Sequence, residues 1–133
     1  MNVFDITDIE NEIKELVESF GISSRTYCNR PKAAEQLQDF IVVKCGTISD
    51  RVAYGECTVS VHLFAKDIGN LKNGKKLSLM YRQFVENLPP EYGDLLFDTA
   101  PKILGDAPDD YGFHARIINI QTTIKIQEQW QQN

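Results

Sequence analysis

The sequence predicts an α+β domain: a twisted antiparallel sheet of four to five strands with two helices packed on one face, in the order α-β-β-β-α-β-β. Three observations predict it. Two segments, 8–20 and 75–88, carry apolar residues at the 3.6-residue period of an amphipathic helix. Other segments, above all 52–66 and 113–127, alternate apolar and polar residues as half-covered strands do. The length of 133 residues fits one domain, since roughly 100–200 residues per domain is usual.

The first helix is expected over 8–20. Ile9, Ile13, Leu16, Val17 and Phe20 fall on one face. Thr7 and Glu10 have capping-box spacing, Asp8, Glu10 and Glu12 suit the positive end of the dipole, and Gly21 stands where a left-handed residue stops a helix. A short strand, 24–28, ends at Asn29-Arg30-Pro31, because proline has no amide donor for a ladder. Residues 32–37 are polar connection, 38–46 form a strand around the apolar run Phe40–Val43, and 47–51 are turn chemistry.

The strand expected over 52–66 has the cleanest alternation. Cys57, Val59, Val61, Leu63 and Ala65 take one face, and Glu56, Thr58, Ser60, His62 and Lys66 the other, with Phe64 the exception on the polar side. It should pair antiparallel with 38–46. The second helix carries Leu77, Met80, Tyr81, Phe84 and Leu88 as its stripe and stops at Pro89-Pro90. Residues 95–104 read as a strand that Pro101 confines to an edge or a bulge, and 105–112, GDAPDDYG, as a loop. In the last strand Ile118, Ile120, Ile124 and Ile126 oppose Asn119, Gln121, Thr123, Lys125 and Gln127. The tail from 128, with Trp130, is polar and expected to fray.

Composition narrows the function classes. Apolar residues at 42% with 25% charged are ordinary for a globular domain and too rich in core for a disordered chain. No apolar run approaches the ~18–20 residues of a membrane span. The acidic start MNVFDITDIENE is unlike a secretory signal, so a cytoplasmic domain without a membrane partner is expected. A formal charge of −5 lacks the clustered cations that neutralise phosphates, which argues against a sequence-specific nucleic-acid partner. Cys28, Cys45 and Cys57 are odd in number and without CxxC spacing, so reduced thiols, at least two of them in the core, are expected instead of a disulfide framework or zinc site.

No residue set carries a strong catalytic signal. His62 shares the polar face with Glu56, Thr58 and Ser60, an arrangement that suits proton transfer, though a surface histidine is the simpler reading. Cys57 lies on an apolar face, where a thiol loses reactivity. Asp106, Asp109 and Asp110 lack the alternating spacing of an EF-hand and read as a solvated acidic loop. Lys72, Lys75 and Lys76 flank Asn73-Gly74 at a helix start without a phosphate-loop pattern and read as a charged turn. No cofactor, no metal and no enzymatic activity are expected. The two charged loops could steer head-to-tail docking if they lay on opposite sides of the subunit. They are therefore the candidate subunit interface.

The order of segments resembles the tail-terminator (tail-completion) proteins of long-tailed bacteriophages and their prophages. The resemblance spans 8–126. It rests on the short first helix, on Arg25-Thr26-Tyr27 ahead of Pro31, and on Phe40-Ile41-Val42-Val43. The run Thr58-Val59-Ser60-Val61-His62-Leu63-Phe64-Ala65-Lys66 matches the family's long strand, and Arg116 precedes Ile117-Ile118-Asn119-Ile120 in the last one. Residues 32–39 hold no proline, a departure from the family's usual approach to the second strand. The resemblance implies a structural subunit without catalytic residues that self-associates into a ring, commonly a hexamer. Such a ring ends the tail tube, meets tail-tube and head-neck proteins, assembles in the bacterial host cytoplasm and resides in the virion tail. Alternatives are another head-tail connector or neck component, or a small-ligand-binding α+β domain using the polar face around His62.

Overall fold

The computed structural model describes residues 5–23, 25–29, 38–50, 54–98, 100–109 and 111–125. Pro31, Asp110, Ile126, Gln127 and Trp130, for which the sequence carries expectations, lie outside them. The elements in chain order are α1 (Ile6–Ser19), β1 (Thr26–Tyr27), β2 (Asp39–Cys45), β3 (Ser49–Asp50), β4 (Tyr54–Lys66), α2 (Gly74–Asn87), β5 (Glu91–Tyr92), β6 (Leu95–Phe97), β7 (Lys102–Pro108) and β8 (Phe113–Lys125).

The two helices are those expected, but the sheet is not. Eight strands, not four to five, form one curled half-barrel sheet, with a path β1-β2-β4-β8-β6-β5 from which β3 branches beside β4 and β7 beside β8. Three departures account for the difference. First, β1 pairs parallel with β2 (Thr26↔Ile41, Tyr27↔Val42), so the sheet is mixed. Alternation encodes the face a residue takes, not the direction of the neighbouring strand. Second, Ser49 and Asp50, expected in a turn, pair with Glu56 and Gly55, where the start of β4 extends beyond the end of β2. Third, the segment expected as one strand over 95–104 is split. Leu95–Phe97 pairs with one end of β8, and Lys102–Pro108 with the other. The latter takes in half of the expected loop 105–112.

Strand β7 was hidden because all its residues are exposed or half-exposed, so no alternation marks it. The backbone of β8 needs partners on that side whatever the turn propensity of Gly, Asp and Pro. Turn chemistry persists in detail: the register shifts between Ile103 and Gly105, Gly105 has φ 121°, and Pro108 sits at the strand's end. Pro101 does precede an edge strand with a bulge.

Helix α1 begins two residues earlier than expected and uses a different cap. Asp5 Oδ1 accepts the Asp8 N–H at 2.8 Å, and Asp8 Oδ2 accepts the Asp5 N–H at 3.4 Å. Glu10, expected to complete a box with Thr7, instead accepts the backbone N–H of Cys45 at 2.9 Å. Gly21 does take a left-handed φ of 67° just past the helix.

One core lies between the helices and the sheet. Ile9, Ile13, Leu16 and Val17 of α1 and Leu77, Met80 and Phe84 of α2 meet Cys57, Val59, Val61, Leu63 and Ala65 of β4, and Ile118, Ile120 and Ile124 of β8. The opposite sheet face holds a second cluster, Phe40, Val42, Phe64, Phe113 and Ala115, with Tyr27 against it. Phe64, the exception in the β4 pattern, stacks on Phe40 at 4.4 Å and 8°, while Phe113 meets Phe40 edge-on at 5.2 Å. Cys57 is buried, but Cys28 and Cys45 are only partly so, so one cysteine and not two is fully in the core.

Val61 is wholly buried at the centre of β4. Val61→Asp would place an unpaired carboxylate there, and we expect a loss on the order of 3–5 kcal/mol in urea unfolding. Near-normal stability of that variant would mean that Val61 does not face the core.

Candidate functional site

Beyond the phenylalanine cluster, the outer sheet face is polar and built by the β4–β8 register. Thr58, Ser60 and His62 stand opposite Gln121, Asn119 and Ile117. Ser60 Oγ donates to Asn119 Oδ1 at 2.8 Å, and Thr58 Oγ1 donates to Gln121 Oε1. With Asp98, Ala100 and Lys102, the residues Thr58, Asn119 and Gln121 line a concavity of about 330 Å³. Asp98 Oδ1 accepts the Ala100 N–H at 3.1 Å and so shapes the turn at its rim. Hydroxyl and amide groups at alternate positions can bind another polar surface without presenting net charge.

His62 is not among the residues lining that concavity. Its ring stacks on Phe64 at 6.3 Å, and Val42 and Ile117 are its directly opposed neighbours. Burial, helped by Lys44, pushes the imidazole below its ordinary value. A ring flanked across the sheet by two aliphatic residues has no directly opposed proton-transfer partner.

The charged loops are arranged differently from the docking expectation. Asp106 on β7 receives Arg116 of β8 in a fork, Nε to Oδ1 at 2.8 Å and Nη2 to Oδ2 at 3.0 Å. Lys72 Nζ donates to the same carboxylate at 2.9 Å, and Arg116 Nη1 donates to Ser78 Oγ of α2 at 3.2 Å. The two loops therefore meet within one subunit at Lys72 and Asp106, instead of standing on opposite sides. Lys76 Nζ is 3.9 Å from Asp39, and its N–H donates to Asn73 Oδ1, the cap of α2. Asp109 Oδ1 accepts the N–H groups of Tyr111 and Phe113 at 2.8 and 3.1 Å and closes the turn into β8. Lys75 is exposed in the first turn of α2. Nearby, His114 Nδ1 lies 2.6 Å from Asp67 Oδ1.

Sequence reasoning missed the border that this cluster supports. Among the described residues β7 pairs only with β8, and Ile103 and Leu104 on it are 46% and 56% exposed. Ile68 and Leu71, 66% and 74% exposed, lie in the loop that Lys72 ties to β7. A visible signal was present, since Ile103-Leu104 follows Pro101, the mark of an edge strand. At the opposite side of the sheet, Glu10 takes the Cys45 N–H at the end of β2.

Among the described residues no three His, Cys, Asp or Glu side chains are grouped to hold a metal ion, and no helix is long and apolar enough to cross a membrane. Compared with known proteins, the chain matches no family model and no curated protein.

The guanidinium fork of Arg116, with Lys72, holds the Asp106 carboxyl well below its ordinary value, at about 2. A depressed carboxylate contributes stability that is complete above its unfolded value, roughly 3.9, and lost as pH falls toward the folded one. Urea titrations should show wild-type protein losing stability between about pH 4 and 2 more steeply than Asp106→Asn. At pH 7 the variant should be less stable by about 1.5–3 kcal/mol, the range for hydrogen bonds to charged groups. Parallel acid limbs in the two proteins would remove Asp106 from that role.

Proposed function

We propose that the chain is a structural, ring-forming subunit of a phage or prophage tail, of the tail-terminator kind, that ends the tail tube and joins it to the head. The reading begins from the resemblance in the order of segments. The observation that carries it is the β7 edge. Among the described residues β7 pairs only with β8, and Ile103 and Leu104 on it are exposed. A free apolar edge strand is a template for another chain. Rings need heterologous contacts, in which one patch meets a different one. The open β7 edge would meet a different patch on the next subunit to make a ring, whereas pairing with its own copy across a two-fold axis would give a dimer instead.

In this reading the partners are other copies of the chain, the tail tube and the head-neck proteins. Assembly takes place in the bacterial host cytoplasm, and the ring remains in the virion tail. The hydroxyl–amide ladder of Thr58, Ser60, Asn119 and Gln121 is then a surface for the adjoining tail component.

Native mass spectrometry of the purified chain should find a closed ring, six subunits by resemblance. Ile103→Lys and Leu104→Lys should dissociate it while each leaves stability within about 0.5 kcal/mol, as exposed substitutions do. A wild-type chain that stays monomeric at all accessible concentrations would overturn the proposal, as would a ring indifferent to both substitutions.

A further inference from the structure

Two of the three thiols stand together where the end of β2 runs beside β4. Cys45 opposes Val59 in the antiparallel register, so Cys57 is its diagonal neighbour on the same face. Both side chains turn toward the helix-side core, Cys57 buried at 4% exposure and Cys45 half-buried against the same cluster. The strands remain close here. The Gly46 N–H donates to the Thr58 carbonyl at 2.9 Å, and a Cβ at Gly46 would come within 3.2 Å of that oxygen. Diagonal residues lie roughly 7–8 Å apart at Cα and less at Cβ. Disulfides close up to about 6.8 Å at Cα, so the bridge requires the two strands to draw together at this point.

We propose that Cys45 and Cys57 form an oxidant-sensitive site that closes to a cross-strand disulfide between β2 and β4 when a small hydroperoxide reaches it. The Cys45 S–H donates to the Gly46 carbonyl at 3.3 Å, an acceptor that can hold its proton until the disulfide forms. The neighbouring Cys45 thiol draws the Cys57 thiol below its ordinary value, while Cys57, burial and the Glu10 carboxylate push Cys45 up.

The chemistry balances with hydrogen peroxide as the oxidant. The Cys57 thiolate attacks one peroxide oxygen, the O–O bond breaks, and hydroxide leaves to take up the thiol proton as water. Cys57 then carries a sulfenic acid. Cys45 sulfur attacks Cys57 sulfur, the S–O bond breaks, and hydroxide departs with the Cys45 proton as a second water. Two electrons pass from the thiol pair to the peroxide. Among the described residues the Cys28 S–H is directed to Asn11 Oδ1 at 3.8 Å, away from this pair.

The test uses the full chain, reduced and then exposed to hydrogen peroxide. Non-reducing peptide mapping should find the Cys45 and Cys57 peptides linked, and denaturing titration should find Cys28 as the remaining thiol. The melting temperature should rise on oxidation and fall again with dithiothreitol. Cys45→Ser, at the less buried position, should abolish both the link and the shift. Three titratable thiols after peroxide, a link through Cys28, or sulfinic acids at Cys45 and Cys57 without a cross-link would each overturn the proposal.

Discussion

The antiparallel ladder between β4 and β8 is the constraint on which the rest of the molecule depends. The two strands are thirteen residues each and pair along their whole length, from Tyr54↔Lys125 to Lys66↔Phe113. Because side chains alternate, this one register fixes both faces at once. Odd positions of β4 and even positions of β8 supply Val59, Val61, Ile118 and Ile120 as a floor for both helices. The complementary positions supply Phe64, Phe113 and Ala115 at one end of the outer face and the Thr58–Gln121 and Ser60–Asn119 pairs at the other. A slip of one residue would bury the hydroxyls and amides and expose the isoleucines, so the core and the polar ladder are specified together.

A ladder this long creates borders that shorter segments must satisfy. The side of β4 away from β8 is served by β2 and β3; the side of β8 away from β4 is served by β6 and β7. Beyond β2 the solution is backbone at one end, from β1, and side chain at the other, where Glu10 of α1 accepts the Cys45 N–H. That use of Glu10 explains why the helix is capped by Asp5 and Asp8 instead. On the other side, Arg116 holds β7 to β8 through Asp106 and reaches Ser78 of α2, which fixes one end of an otherwise exposed strand. Buried at 11% and 17% exposure, the two charged side chains satisfy one another where neither could be left alone.

What the sequence disclosed follows from which elements have a buried face. Both helices and the alternating parts of β4 and β8 were legible because burial imprints a period. Phe64 looked anomalous only because a second cluster on the outer face has no periodic partner nearby in sequence; Phe40 and Phe113 are brought to it by the fold. Strands β3, β5 and β7 were not legible, being short or without a buried side, and GDAPDDYG carries turn propensity that pairing with β8 overrides. The interface residues were named from charge runs. Proximity in space, which paired Lys72 with Asp106 inside the subunit, cannot be read from runs 34 residues apart.

That internal pairing changes what could drive association at the β7 border. Lys72, Arg116 and Asp106 together leave a single positive charge, so their field offers little long-range steering. What remains outward-facing is unpaired backbone together with Ile103, Leu104, Ile68 and Leu71. Backbone hydrogen bonds contribute direction and register, and apolar burial contributes roughly 25 cal/mol per Å². Neither depends strongly on salt. The outer ladder has the same character, since Thr58, Ser60, Asn119 and Gln121 are uncharged and burial disfavours the charged form of His62. A chain with a formal charge of −5 thus keeps its most contact-ready surfaces nearly free of net charge. Its net negative charge opposes indiscriminate approach, and close fit at an open edge is left to select the partner.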